Sequence, residues 1–267
     1  GIDFNIGYKD KINDFKYGIA VNGGYAKNEV TFWDEAPGAP EYQLSTGKPI
    51  PSYPDNSSFD LYYQAIGIFR DQAAIDAYPH WSGARPGDIF LWDLNDDKKI
   101  DGNDRVRNNK NNLPKFTGGV NLKLGYKNFD VSILLQGAAG AVLHTTTESG
   151  EIGNYLKSYY DNRWTAENPD ASGPRTNAST AEYWLNRNTY FLHKTDYIRL
   201  KNFEFGYSLP NLVSSKIGIS NLRVYMSGYN LLTYSPDLKD FDPEIASESG
   251  QSYPVQRVIN FGINASF

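Results

Sequence analysis

Cysteine is absent, which removes disulfides, thiolate nucleophiles and cysteine-ligated zinc from consideration. No apolar run approaches the roughly 20 residues that a membrane-spanning helix needs. The least polar stretch, 131–143, is interrupted by Gln136, Gly137 and Gly140. Positive charge is not in excess: 26 Lys and Arg stand against 31 Asp and Glu, a formal net charge of -5. There is accordingly no basic footprint for nucleic acid or for anionic headgroups. Catalytic signatures are missing too. His80, His144 and His193 are scattered, and no metalloprotease spacing, nucleophile elbow, Walker loop or dinucleotide fingerprint occurs. Asp240 and Asp242 form a carboxylate pair, but in so acidic a chain a glycosidase dyad cannot be singled out on spacing. The residues give no reason to expect an enzyme. The opening Gly1-Ile2-Asp3-Phe4 has no charged or apolar leader pattern and starts inside a strand-like alternation, so the true N-terminus is expected elsewhere.

What is plentiful is aromatic side chain and glycine: 20 Tyr, 14 Phe, 5 Trp and 24 Gly against a single Met. Rings at a water–lipid boundary and closely packed strand backbones call for that mixture. Strict alternation, the mark of a strand with two unlike faces, recurs seven times. Ile2, Phe4, Ile6 and Tyr8 share one face, as do Phe15, Tyr17, Ile19 and Val21. Phe116, Val120, Leu122, Leu124 and Tyr126 follow, then Phe129, Val131, Ile133 and Leu135. Phe203, Phe205, Tyr207 and Leu209 make the fifth set, Val224 and Met226 a weaker sixth, and Ile259, Phe261, Ile263, Ala265 and Phe267 the last.

Alternation alone fits a soluble β-sandwich equally well, because each sheet of a sandwich has one wet face. The connections differ. Short links fall around Asp10 to Asp14, at Tyr126-Lys127-Asn128 and across Pro210 to Ser220, while long ones cover 24–114, 137–196 and 233–256. Short and long alternate, so all long connections emerge at one end of the sheet, the asymmetry of outer-membrane barrels. Compact soluble domains favour connections of about 4–6 residues. The reading is all-β: residues 1–267 as about seven antiparallel strands from the C-terminal part of a large transmembrane barrel, with long extracellular loops. Single-chain bacterial barrels normally have an even strand count from 8 upwards, and the last third of a barrel of roughly 22 strands, a size known for plugged transporters, accounts for seven. The ending 260–267 fits a polar-x-Gly-x-x-apolar-x-apolar pattern through Gly262, Ala265 and Phe267, similar to the signal that barrel-assembly machinery recognises.

An ordered series of short strings then carries a family resemblance. It includes Gly67-Ile68-Phe69, Pro86-Gly87-Asp88-Ile89, Trp92 to Asp101, Asp104-Arg105, Pro114-Lys115-Phe116-Thr117-Gly118-Gly119, Phe129-Asp130-Val131-Ser132 and Gln136-Gly137. Arg163-Trp164-Thr165, Asn168-Pro169, Tyr197-Ile198-Arg199-Leu200-Lys201-Asn202, Gly206-Tyr207, Ser227-Gly228, Asn230-Leu231-Leu232-Thr233, Asp242-Pro243-Glu244, Tyr253-Pro254 and Arg257 continue it. In this order and spacing the set resembles the C-terminal region of SusC/RagA-type TonB-dependent outer-membrane transporters, over about Gly67 to Phe267. The resemblance implies a location in the bacterial outer membrane and a barrel surrounded by lipid. It implies N-terminal barrel strands and a plug that this chain lacks, coupling to TonB through the plug, and a SusD-like lipoprotein lid. Oligosaccharides are the expected cargo and oligopeptides the alternative; nucleic acid is not expected as a partner. The competing class is a secreted, calcium-stabilised carbohydrate-binding sandwich, in which Ile259, Phe261 and Ile263 would be buried between two sheets.

Inside the 24–114 excursion, Asp93, Asn95, Asp97, Lys99 (through its carbonyl), Asp101 and Asp104 occupy positions 1, 3, 5, 7, 9 and 12 of an EF-hand-like loop, the spacing that wraps a hard cation in oxygens. Lys98 stands where glycine is usual, and Asp104 replaces the bidentate glutamate. Calcium in a structural role is the expectation at 93–104; a solvated turn built from Asx chemistry is the bland alternative. The run 152–164 reads as helix-like, with Leu156, Tyr159 and Tyr160 on one side. Trp81, Trp92, Trp164 and Trp184 could stack on sugar rings or simply anchor loops.

Overall fold

The computed structural model describes residues 1–50, 61–109, 111–145, 156–176, 187–214, 216, 218–244, 253 and 255–267. In chain order the strands are β1 (Ile2–Ile12), β2 (Phe15–Tyr25), β3 (Leu61–Tyr63), β4 (Ala65–Ile68), β5 (Ile89–Leu91), β6 (Arg105–Arg107), β7 (Phe116–Tyr126), β8 (Phe129–Ala139), β9 (Val142–His144), β10 (Leu192–Lys194), β11 (Tyr197–Ser208), β12 (Asn221–Tyr234) and β13 (Val258–Ser266). Short helices α1 (Gln72–Asp76), α2 (Lys157–Asn162) and α3 (Asn211–Ser214) lie in the connections. Among the described residues no helix is long and apolar enough to cross a membrane.

The seven long strands form one antiparallel sheet in the order β1-β2-β7-β8-β11-β12-β13, each beside its neighbour in the chain. This is one layer, not the two facing layers of a sandwich. Its register decides the faces. The row Tyr8–Ile19–Leu122–Ile133–Phe203–Gly228–Ile259 runs across all seven strands, and the row Ile12–Phe15–Tyr126–Phe129–Tyr207–Val224–Ile263 lies parallel to it at the short-turn end. Every position on this face is apolar, aromatic, Gly or Ala except Asp10, at the turn end of β1. Phe261 is 80% and Ile263 70% exposed. A solvent-facing surface of that composition does not suit water, and hydrocarbon is the medium it matches. Aromatic rings mark both margins: Phe15, Tyr126, Phe129 and Tyr207 at one, Tyr25, Phe116 and Tyr234 at the other. The ten steps from Phe15 to Tyr25 rise about 33 Å along the strand, and a tilt of roughly 40° reduces this to about 25 Å, the height of a barrel's apolar band.

The opposite face carries Asp3, Asn5, Lys9, Asn22, Thr117, Asn121, Lys123, Asp130, Ser132, Gln136, Glu204, Arg223, Asn260 and Asn264. It is the wet, lumenal wall. Two-residue hairpins close β1 to β2 and β7 to β8, with Asn13 and Lys127 at positive φ, which suits the right-handed twist of the flanking strands.

The fifth strand begins six residues before the sequence alternation suggests, at Tyr197 rather than Phe203. A bulge explains the difference: the β8–β11 and β11–β12 registers both shift between Leu200 and Asn202. One extra residue inverts the phase, so Ile198 and Leu200 face outward with Phe203 and Phe205. β12 answers the bulge around Asn230, which adopts φ 51°, and this is why its alternation reads as weak.

The 24–114 excursion is not structureless. Tyr63, Phe69, Ile75, Trp81, Leu91 and Ile100 form a small core of their own, flanked by the β3–β6 and β4–β5 pairs. The helix-like run expected after Phe69 is α1, capped by the Asp71 carboxylate, which accepts the Ala74 N–H at 2.8 Å. In α2 Tyr159 is buried, whereas Tyr160 faces out beneath the Arg163 guanidinium, 3.7 Å from its ring centroid. The two tyrosines therefore do not share a packed side. The start of that expected run, 152–155, lies outside the described residues.

Candidate functional site

The candidate functional surface is the lumenal wall with the loops tied to its long-loop end. Amide and hydroxyl side chains recur along the wall because alternate strand positions must meet water while their neighbours meet lipid. Near the loop end they line a cavity of about 760 Å³ with Asn5, Asn22, Thr117, Gln136 and Tyr197 on its walls. Gly24 and Gly119 keep the floor shallow: a Cβ on Gly24 would sit 2.4 Å from an Asp3 carboxylate oxygen.

One side of this cavity is a charged clamp. Arg199, wholly buried on β11, donates from one guanidinium nitrogen to both Asp242 carboxylate oxygens at 2.7 Å, and from another to Glu244. Its Nε–H donates to the Thr233 hydroxyl at 2.9 Å. The Tyr197 hydroxyl donates to Glu244 at 2.8 Å, and the Gln136 amide donates to the same carboxylate at 3.2 Å. Every donor on Arg199's planar fork that points at the loop has an acceptor, the geometry for which arginine surpasses lysine. The clamp ties the connection after β12 to the wall. Nearer the short turns Arg223 bridges three strands, donating to Asp130 at 3.0 and 2.5 Å and to Glu204 at 2.6 Å. It lies over Gly206, where a Cβ would stand 2.3 Å from the guanidinium, so a larger residue there would have to push Arg223 aside.

The loops above are joined to one another. Arg70 donates to the carbonyls of Pro169 and Ala171, at 2.7 and 2.5 Å, and the Trp164 indole N–H donates to the Arg70 carbonyl at 3.2 Å. Arg175 pairs with Asp88 at 2.6 Å. Burial in the core with Phe69 and Leu91 pushes the Tyr63 phenol up to about 12.

The acidic loop closes on itself. Asp93 accepts the N–H groups of Asp97 at 3.2 Å and Lys98 at 2.9 Å, and Asn95 accepts Asp97 N–H at 3.2 Å. Lys98 takes φ 69°, the left-handed conformation that the sixth loop position demands and that glycine usually supplies. Asp97 and Asp101 accept the N–H groups of Lys99 and Asn103. Asp104 is fully buried and spends its two oxygens on Leu94 N–H and Asp101 N–H, both at 2.8 Å. The sixth position is left-handed, as the spacing expects, but the twelfth side chain is occupied with backbone N–H groups. Among the described residues no group of three or more His, Asp or Glu side chains converges as a metal site.

Of the other candidates, Asp240 accepts from Ser158 and Asp242 from Arg199, so the two carboxylates serve separate partners. His80 contacts the Tyr78 carbonyl at 2.8 Å, His144 packs among Tyr62 and Phe191, and His193 lies 3.6 Å from Asp237. Trp81 is buried and Trp164 anchors a loop; Trp92 is half exposed. Trp184 and Pro254 fall outside the described residues. Gly262 lies beneath the Tyr225 ring, Ala265 pairs with Leu222, and Phe267 is exposed. Both arginine clusters escape local reading, because Arg199 and Glu244 are 45 residues apart and Gln136 and Glu244 are 108 apart. The members of the Arg199 cluster all sit inside the strings that carry the family resemblance, whereas Arg223 and Glu204 lie outside them.

No family model matches the chain. It is 28% identical to TonB-dependent receptor P3 of Formosa agariphila, over all of this chain and 28% of the relative. It is 25% identical to TonB-dependent receptor SusC of Bacteroides thetaiotaomicron, over all of this chain and 26% of that protein. The chain thus spans about a quarter of the length of these curated relatives, which are receptors and not enzymes. Among solved structures, the RagAB peptide transporter superposes on 99% of this chain and 29% of its own, with a TM-score of 0.71 and 20% identity. The open-open state of the RagAB peptide importer gives 0.69. At such identities the likeness is one of fold. In sequence the chain is similar to TonB-dependent receptors, SusC among them, and in fold to the RagA barrel, so the SusC/RagA type of outer-membrane β-barrel is what it resembles on both counts.

Proposed function

We propose that this chain forms part of the barrel of a TonB-dependent importer that carries polar oligomers across the outer membrane, with oligosaccharides as cargo and a SusD-like lipoprotein as lid. The observation that carries the reading is the single sheet with one face apolar but for Asp10 and an amide-rich opposite face. Hydroxyl-rich cargo can exchange hydrogen bonds with Asn5, Asn22, Thr117 and Gln136 as it leaves water. Oligopeptides are the second reading, favoured by the likeness to the RagAB peptide transporter. Deleting the gene in its host and following depletion of oligosaccharides and peptides from the medium tests both. The reading expects loss of uptake of one class, reproduced by deleting TonB. Unchanged depletion contradicts it.

Calcium at 93–104 belongs to the same proposal as a structural brace of the first excursion, supported by the oxygen spacing and by the left-handed Lys98. Gly262, Ala265 and Phe267 are proposed as the assembly signal, so removing Phe267 is expected to lower the amount of folded receptor in the outer membrane.

A further inference from the structure

Two of the long excursions, 24–114 and 137–196, build parts of each other. Gly87, at φ 89°, is seated between the Trp164 ring and the Arg175 side chain, where a Cβ would stand 2.6 and 2.7 Å from them. Its N–H donates to the Phe69 carbonyl at 2.6 Å in its own excursion, and its carbonyl accepts the Arg175 N–H at 2.8 Å from the other. The Asp88–Arg175 pair beside it is 7% and 17% exposed. A second seam lies at 62–65. There the Tyr63 N–H donates to the Arg187 carbonyl at 3.0 Å and the Ala65 N–H to the Thr189 hydroxyl at 2.9 Å, while the His144 ring packs between Tyr62 and Phe191. A main-chain group buried without its partner costs as much as a lost hydrogen bond, so neither excursion can open alone without stranding groups of the other.

The stems are joined as well. The Ala26 N–H donates to the Lys115 carbonyl at 2.8 Å, linking the chain that leaves β2 to the chain that enters β7, and the Val142 N–H donates to the Asn111 carbonyl at 2.9 Å. Between β8 and β11 the Gly140 N–H donates to the Asp196 carboxylate at 2.7 Å and the Thr195 N–H to the Ala141 carbonyl at 3.1 Å. The two excursions therefore stand on four adjacent strands, β2, β7, β8 and β11, and a hinge at one strand end would have to break the stem beside it. We infer that 61–107 and 157–175, with 187–191, open and move as one body, a shared rim above these four strands, and not as two separate loops. The seams and stems are contacts within this chain, so what surrounds the sheet does not create them. For the importer proposed above, this stretch of the mouth moves whole or stays in place while cargo enters.

Hydrogen exchange read by mass spectrometry on the full-length receptor carrying this chain, in detergent, tests this with a substitution on each side. Ile75 lies in the core of the first excursion and Tyr159 is buried in the second. Ile75→Ala is expected to speed amide exchange by roughly thirtyfold, and by the same factor in 61–107 and in 157–175, because a core truncation is felt by the whole cooperative unit. Tyr159→Ala is expected to speed both stretches together in the same way. Ile75→Val should give both a smaller common factor, about fivefold, and keeps the comparison open if the larger truncation prevents folding. Strands β7 and β8 should keep their protection in all three variants. Exchange that quickens only in the excursion carrying the substitution, or in neither, overturns the inference. So does a change that spreads into β7 and β8, which would make rim and sheet one unit. Exchange needs neither cargo nor energised uptake, so its outcome is separate from that of the depletion experiment.

Discussion

Replacing Arg199 by methionine removes the charge at the centre of the clamp while keeping most of the side chain's bulk. Asp242 and Glu244, 13% and 28% exposed against 0% for Arg199, would then face each other without a cation. Breaking a buried pair by removing one partner costs about 3–5 kcal/mol; because water still reaches both carboxylates, the lower end, about 3 kcal/mol, applies. The β11 ladder does not depend on this side chain, so the loss should appear as local opening of the connection after β12 and not as unfolding of the sheet. At about 1.4 kcal/mol per decade, amide hydrogens in 236–244 should exchange roughly a hundredfold faster while those of β8 and β11 keep their protection. Glu244→Gln, which preserves the acceptor for Tyr197 and Gln136, should show a much smaller change. Hydrogen exchange read by mass spectrometry on the full receptor decides the matter. Unchanged exchange at 236–244 in Arg199→Met would refute the view that the clamp holds this loop.

Phe69→Ala, which empties the centre of the 61–107 core where Phe69 stacks on Phe90 at 4.6 Å, should cost that unit about 3–5 kcal/mol and expose it to limited proteolysis without loss of the barrel. The raised Tyr63 phenol favours its neutral form in the folded unit; stability from this source is fully present below pH 10 and is lost as pH rises towards about 12, a change of about 2–3 kcal/mol visible as earlier proteolysis at alkaline pH and absent in Tyr63→Phe. If calcium occupies 93–104, a concentration about 100 times its Kd should stabilise the excursion by roughly 2.7 kcal/mol, and Asp97→Asn should abolish the gain; a melting profile indifferent to calcium sinks the assignment.

The strands were legible where alternation was unbroken, as in β7, β8 and β13, because a face in lipid and a face in water impose period two on every residue between the turns. Legibility failed at Lys201, where one bulged residue inverted the phase and hid the start of β11, Arg199 included. The loops were legible by length but not by content. The core of Phe69, Ile75 and Leu91 joins three short segments whose apolar residues follow no period. The clamp and the Arg223 triad join strands and loops far apart in sequence, and no spacing rule encodes such meetings. The acidic loop was read from its oxygens; that Asp104 turns to the backbone N–H groups of Leu94 and Asp101 depends on a buried pocket that the spacing cannot convey.

Lipid covers the aromatic and aliphatic face of the sheet while water wets the other. With no cysteine anywhere in this chain, single cysteines introduced from Gly119 to Leu124 in the full receptor can each carry a nitroxide after reconstitution in bilayers. Collision rates with oxygen should peak at Val120, Leu122 and Leu124, and those with a water-soluble nickel complex at Gly119, Asn121 and Lys123. Equal access of the nickel complex to both sets, or shielding of the Val120 set from oxygen and nickel alike, would show open water or a second protein layer against that face in place of lipid.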